Sequence, residues 1–281
     1  MMRKGGSCPS RTSNTSLRMP ETPHTDFVPV LAGFPPVTLA EMDGVRLMNR
    51  TDTKYVTEES VLAAVLADAR AAGYRVLEVD GERICAYDSL YFDTAALGMF
   101  LDHHNRRVPR RKVRTRLYVS SGTAFLEIKR KRNNGRTKKK RTPIPPADFP
   151  DFRCNPAACR FLQEKAGFTA DDLSPALETV FRRITLVNPA MTERLTIDTR
   201  LCFANPRTGR EVSLKRLVVI ELKQDGRAYS PMKRILLGRR VKPLRVSKYC
   251  IGVTLTDPSA KANRFKLKIR TLEKTINDKL W

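Results

Sequence analysis

Two hydrophobic rhythms alternate along the chain. Lys112–Ser120 repeats every two residues: Val113, Thr115, Leu117 and Val119 fall on one face, Arg114, Arg116 and Tyr118 on the other. After a turn at Ser121-Gly122, Ala124–Lys131 puts Leu126 and Ile128 on one face and Glu127 and Lys129 on the opposite one. The following Asn133-Asn134-Gly135 is a hairpin signal. Thr179–Val187, Glu193–Phe203 and Arg216–Lys223 repeat the two-residue rhythm, and the aromatic-rich Ala86–Phe92 reads as a further strand.

Helical signals lie between them. Residues 57–73 predict a helix capped by Thr57, with Glu58 and Glu59 at its positive end and Gly73 as its stop. A short helix follows Asp93-Thr94, and Asn155-Pro156 opens another running to Ala166. Ser230-Pro231 caps one more, and Asp257-Pro258 opens a last, basic helix over Ser259–Asn277. The polar, Ser/Thr/Pro-rich stretch 1–32 has no periodicity and is expected to be disordered. The plan is α+β: one folded domain over 33–256 and a basic C-terminal helix over 257–281.

Composition narrows the class. With 281 residues, 41% apolar and 29% charged, the chain can bury a core. It has no apolar run of about 18 residues and no secretory h-region after its basic N-terminus. Six scattered cysteines without a CxxC pair, and only three histidines, argue against a Cys/His zinc site. Free thiols point to the cytoplasm, with membrane association only through a partner.

The net charge of +24 implies a polyanionic partner, and its placement sharpens that. Residues 105–141 carry +15 and 194–256 carry +11, whereas 41–104 carry −6. On the strands, charged residues repeat two positions apart: Arg114/Arg116, Glu127/Lys129, Arg194/Thr196/Asp198, Glu221/Lys223. Each pair projects to one side while the other side is apolar. A closed or nearly closed antiparallel barrel with a charged interior, wrapped by apolar outer faces and helices, explains the repetition. Buried charge on that scale requires a ligand. Arg and Lys match phosphate oxygens, and Glu and Asp are hard ligands for Mg²⁺ or Mn²⁺.

NRTDTKY (Asn49–Tyr55), KVRTR (Lys112–Arg116), FLEIK (Phe125–Lys129), RLTID (Arg194–Asp198), IELK (Ile220–Lys223) and SKY with its following glycine (Ser247–Tyr249, Gly252) stand in the order of a known family. The chain thereby resembles the VTC domain, the polyphosphate polymerase domain of the triphosphate tunnel metalloenzyme superfamily, over about Phe34–Leu255. The resemblance implies a strand tunnel whose basic interior binds a chain of phosphates. It assigns phosphate-binding and catalytic roles to Lys54, Arg114, Arg116, Lys129, Arg183, Arg194 and Lys248. Lys223 joins them as a phosphate ligand, and so does a cation of the run Lys139, Lys140, Arg141, whose register the run itself leaves open. It makes Glu221, with Glu127, the ligands of Mn²⁺ or Mg²⁺. Where hydrolytic members of the superfamily begin with Glu-x-Glu-x-Lys, this chain has Arg50-Thr51-Asp52-Thr53-Lys54, so Asp52 is at most an auxiliary ligand.

The implied activity moves the γ-phosphoryl of ATP onto phosphate or a growing polyphosphate, with the product leaving through the other tunnel mouth. ATP and polyphosphate are the implied partners, and a membrane protein that accepts the product is a further one. Metal-dependent hydrolysis of triphosphate or polyphosphate, and non-catalytic polyphosphate binding, stay open. Lys129–Arg141 holds 9 basic residues in 13 and suits sequence-independent phosphate contact. It has no interleaved aromatics or recognition motif, so a nucleic-acid partner is disfavoured.

Overall fold

The computed structural model describes residues 26–43, 50–214, 216–226 and 229–280. Helix α1 (Val28–Ala32), strand β1 (Pro36–Val37) and α2 (Leu39–Asp43) precede β2 (Arg50–Glu58), α3 (Glu59–Ala71), β3 (Arg75–Leu77), β4 (Cys85–Asp93) and α4 (Gly98–His104). Strands β5 (Arg110–Tyr118), β6 (Thr123–Lys131) and β7 (Thr137–Ile144) form a meander. Then come α5 (Pro156–Ala166), β8 (Ser174–Val187), β9 (Glu193–Ala204), β10 (Glu211–Ser213), β11 (Leu217–Asp225), α6 (Pro231–Gly238), α7 (Lys248–Thr256) and α8 (Lys266–Ile276).

The strong local signals act as expected. Asn155 and Ser230 accept hydrogen bonds from the Ala158 and Lys233 amides, each at 3.1 Å. Asp93 accepts from the Met99 and Phe100 amides, both at 2.9 Å, and so caps α4 from a distance. Weaker signals yield to the sheet. Thr57 does not cap α3, because the β2–β11 ladder runs on through Thr57 to Glu58. Asp257 closes a local turn onto Ser259, and α8 begins only at Lys266. Among the elements that went unanticipated are β7, which begins within the basic run, and α7, besides the short α1, α2, β1, β3 and β10.

Residues 1–25 of the expected disordered stretch lie outside the described residues. Its last part is ordered: Phe27 and Leu31 are buried in one cluster with Phe34 and α3. The C-terminal helix also belongs to the domain, since Phe265, Ile269, Leu272 and Ile276 are buried.

Eight strands form one antiparallel path, β2-β11-β9-β8-β4-β5-β6-β7. Hydrogen bonds do not close it between β2 and β7. The free side of β2 is met by the segment before α7, where the Leu244 amide donates to the Lys54 carbonyl at 2.8 Å. The sheet curls: Lys129 on β6 and Glu221 on β11 act on each other's ionisation, although a flat sheet would hold them about 24 Å apart. On the outside, α3 and α6 cover Ile184, Leu186, Leu195, Ile197, Val218 and Ile220, and Leu162 of α5 packs with Val113, Leu126 and Ile128. This is the nearly closed tunnel that the alternation implies, with its apolar side outward.

The inside divides in two. One half is charged. The other is filled by α7, whose residues Tyr249–Thr256 are all buried against side chains that include Tyr91, Leu177, Phe181, Leu201, Phe203 and Val219. A product path straight through the tunnel is thereby corrected, because α7 packs that half with apolar side chains. Gly252 lets α7 sit this deep. A Cβ there would stand 2.4 Å from Leu177 Cδ2 and 2.8 Å from Phe203 Cδ1. Gly252→Val is expected to destabilise the fold by about 1–3 kcal/mol through overpacking. Urea unfolding checks this; an unchanged midpoint would show that α7 does not pack there as described.

Candidate functional site

Three carboxylates from three strands organise the charged half, each between two cations. Arg114 Nε and Nη2 donate to Glu127 Oε2 at 2.9 and 2.5 Å, and Lys139 Nζ lies against Oε1. Arg183 Nε and Nη2 make a two-pronged pair with Asp198 at 2.6 and 2.8 Å, and Lys248 Nζ donates to the same carboxylate. Lys54 Nζ stands 3.0 Å from Glu221 Oε1, and Lys223 Nζ 3.6 Å from Oε2. Each group keeps one net positive charge. Two further cations make no ion pair among the described residues: Lys129, and Arg116, whose Nε donates to Ser89 Oγ at 3.0 Å. Arg116 is only 6% exposed, and its guanidinium lies 5.4 and 5.7 Å from the Tyr87 and Phe181 ring centres.

The excess positive potential shows in ionisation. Arg114 foremost, then burial, holds the Lys129 ammonium well below its ordinary range. Burial, aided by Arg183 and Lys54 and resisted by Asp198, brings Lys248 down to about 8. Burial alone would raise the Tyr91 phenol, yet Arg114, Lys112, Arg116 and Lys248 together pull it down to about 8. Burial likewise works against ionised Glu127 and Glu221, and their cationic neighbours outweigh it, so both stay charged.

The residues singled out in the sequence come together with some spread. Lys54, Arg114, Arg116, Lys129, Lys139, Arg183, Lys223, Glu127, Glu221 and Lys248 line one lumen. Register settles the run Lys139–Arg141: Lys139 and Arg141 oppose Lys129 and Glu127 on the inner face, whereas Lys140 opposes outward-facing Ile128. Arg141 is exposed at the rim, 4.4 Å from the Phe125 ring centre. Arg194 stands opposite Lys223 on β9, and Asp52 opposite Lys223 on β2. Asn49 lies outside the described residues.

Sequence reasoning gave no role to Asp198, Tyr91, Tyr87 or Lys112. Asp198 shares its inward face with Arg194 and Thr196, which was the available signal. Tyr91 takes a hydrogen bond from Arg114 Nη1 at 2.9 Å, and Lys112 Nζ donates to Ser247 Oγ at 2.7 Å. Those partners are 23 and 135 positions apart, so no local pattern reveals them.

Among the described residues, no three His, Cys, Asp or Glu side chains converge as a metal cage. A cation shared with substrate needs only one or two carboxylates, because Mg²⁺ takes phosphate oxygens and water for the rest. Glu221, at 22% exposure and held by two flexible lysines, fits that role. Glu127, predicted as a second ligand, does not: it is fully buried, with Arg114 on one oxygen and Lys139 on the other.

A curled antiparallel sheet with a cation-lined lumen, broken by isolated carboxylates, is the architecture of the triphosphate tunnel proteins. The model of the VTC domain matches residues 49–256, and the chain belongs to that family. Several solved structures are similar. One is a candidate adenylate cyclase from Bacillus halodurans (12% identity, 78% of this chain and 100% of that one, TM-score 0.46). Another is a candidate adenylyl cyclase from Hippeastrum described as having a dominant triphosphatase activity (15% identity, 74% and 96%, TM-score 0.43). A third is the PH1819 protein from Pyrococcus horikoshii (12% identity, 73% and 95%, TM-score 0.42). No curated protein matches the chain in sequence.

Proposed function

We propose that this tunnel is a polyphosphate polymerase that moves the γ-phosphoryl of ATP onto phosphate or onto the end of a polyphosphate chain. The observation that carries the reading is the net positive lumen. Three carboxylates are each outnumbered by their cations, and Arg116 and Lys129 add charge that no carboxylate within ion-pair distance offsets. A run of phosphates supplies the missing counter-charge.

The chemistry needs little else. Arg114, Arg116, Arg183, Lys129 and Lys248 would hold the triphosphate and neutralise charge on the γ-phosphoryl in flight. An acceptor phosphate oxygen forms the new P–O bond as the bond from the β–γ bridging oxygen to the γ phosphorus breaks, and ADP leaves. The acceptor is already anionic, so no general base is required. Mg²⁺ or Mn²⁺, held by Glu221 together with phosphate oxygens, would supply further charge neutralisation. ATP labelled in its γ-phosphate should yield polymer ladders on a gel with Mn²⁺, and Lys54→Ala should abolish them. Release of free phosphate without polymer would make the protein a hydrolase instead, and binding without turnover would make it a sensor.

A pH dependence follows from the lumen lysines. In the empty tunnel Lys248 sits at about 8, and Lys129, beside Arg114 and buried, is held well below its ordinary range. Bound phosphate favours their charged forms and raises both values, so binding near pH 8 takes up protons, and affinity falls as pH rises above about 8. Calorimetry of tripolyphosphate in buffers of different ionisation enthalpy measures the uptake. Proton release, or none, would contradict it.

A further inference from the structure

The cations do not stop at the lumen. On the inner face of β5–β7, Lys112, Lys129 and Lys139 form one cross-strand row, and Arg110 opposes Lys131 in the next. Like charges directly opposite one another destabilise a sheet, so this hairpin is built against its own pairing preference. Beyond it the band reaches the C-terminal helix. His103 of α4 stacks edge-on with Phe265, ring centres 6.4 Å apart, and Lys268 Nζ lies 5.8 Å from the same ring. Lys112, Arg110, Lys268 and Lys131 all bear on the His103 imidazole and, with burial foremost, keep it neutral. Lys268 in turn feels Arg106 and Arg245. Cations from β5, β6, the α4–β5 turn, the segment before α7 and α8 thus converge, and Lys112, hydrogen-bonded to Ser247 and 5.9 Å from the Tyr249 ring centre, joins them to the lumen.

We infer that this band, running from Lys112 over Arg110 and Lys131 to Lys268, Arg245 and Arg106, is an exterior binding track for a phosphate chain longer than the lumen holds. The inference rests on the tunnel reading above and adds to it where the chain goes once α7 blocks the straight path. Continuity with the lumen favours polyphosphate over single-stranded nucleic acid, which binds by stacking its bases on aromatic side chains. The large apolar side chains exposed among the described residues include one aromatic, Tyr229, and it lies beside α6 rather than on the band.

The test compares long-chain polyphosphate with tripolyphosphate, using the whole chain. Lys131→Ala, Arg245→Ala and Lys268→Ala together should weaken long-chain binding about tenfold or more and leave tripolyphosphate affinity unchanged. The slope of log affinity against log salt for the long chain should shrink by about 2. Arg245→Glu, a single change at an exposed residue, should give the same selective loss in smaller measure. Equal losses for both ligands, or no loss for either, would overturn the track while leaving the tunnel reading intact. Loss of single-stranded RNA binding with long-chain polyphosphate retained would make the band a nucleic-acid surface. A wild-type protein that binds neither phosphate ligand would remove the tunnel reading, and the track with it.

Discussion

Replacing Arg114 by alanine should cost about 3–5 kcal/mol of stability and abolish polymer synthesis, for two separable reasons. The stability loss comes from Glu127. It is fully buried and ionised, and it takes two guanidinium hydrogen bonds from Arg114. Without Arg114 the carboxylate keeps only Lys139, at the lip of the lumen. The activity loss comes from the phosphate, which loses a planar two-pronged donor at the centre of the wall. Glu127→Gln added to Arg114→Ala removes the stranded charge and should recover more than half of the lost stability. It should recover no activity. If urea unfolding shows the double variant as unstable as the single one, the pair is not the source of the loss. If activity returns with stability, Arg114 acts only through folding.

The second large effect is expected at Asp198. It is 3% exposed and serves as counter-ion to Arg183 and Lys248 at once. Asp198→Ala leaves two cations facing each other in a low-dielectric wall, and the melting temperature should drop by about 6–12 °C. Here the deficit should respond to ligand. Saturating tripolyphosphate brings negative charge to the same two side chains and should restore much of the loss. For Gly252→Val, whose fault lies in packing between α7 and Leu177, tripolyphosphate should stabilise the variant no more than it stabilises the wild type. Thermal melts with and without tripolyphosphate distinguish the two. Equal ligand shifts in both variants would mean that Asp198 does not balance the phosphate-facing cations.

The contrast between these residues shows where sequence reasoning reaches. Arg114 and Arg116 were legible because a strand turns every second side chain to one face, and the face they share is otherwise an unusual place for repeated cations. Lys139 and Arg141 were legible only as members of a run, and the β6–β7 register chose them over Lys140. Asp198 was visible as one charge in an alternating strand, but its partners lie 15 and 50 positions away. Helix α7 escaped altogether. Buried on every side, it lacks the polar stripe that reveals a surface helix, and its buried residues have no period to read.

By itself, the sequence determined most of the long strands, the helix starts after Asp93, Asn155 and Ser230, the inward face of those strands and the sign of the charge that face carries. Those follow from backbone geometry and local capping, which act over a few residues. Tertiary structure alone decided which cations share a carboxylate, that Glu127 is locked while Glu221 is accessible, and that α7 fills one half of the lumen. Each of these depends on how far the sheet curls and which strand ends meet. Curl is set by packing across the whole barrel, and no short stretch of chain encodes it.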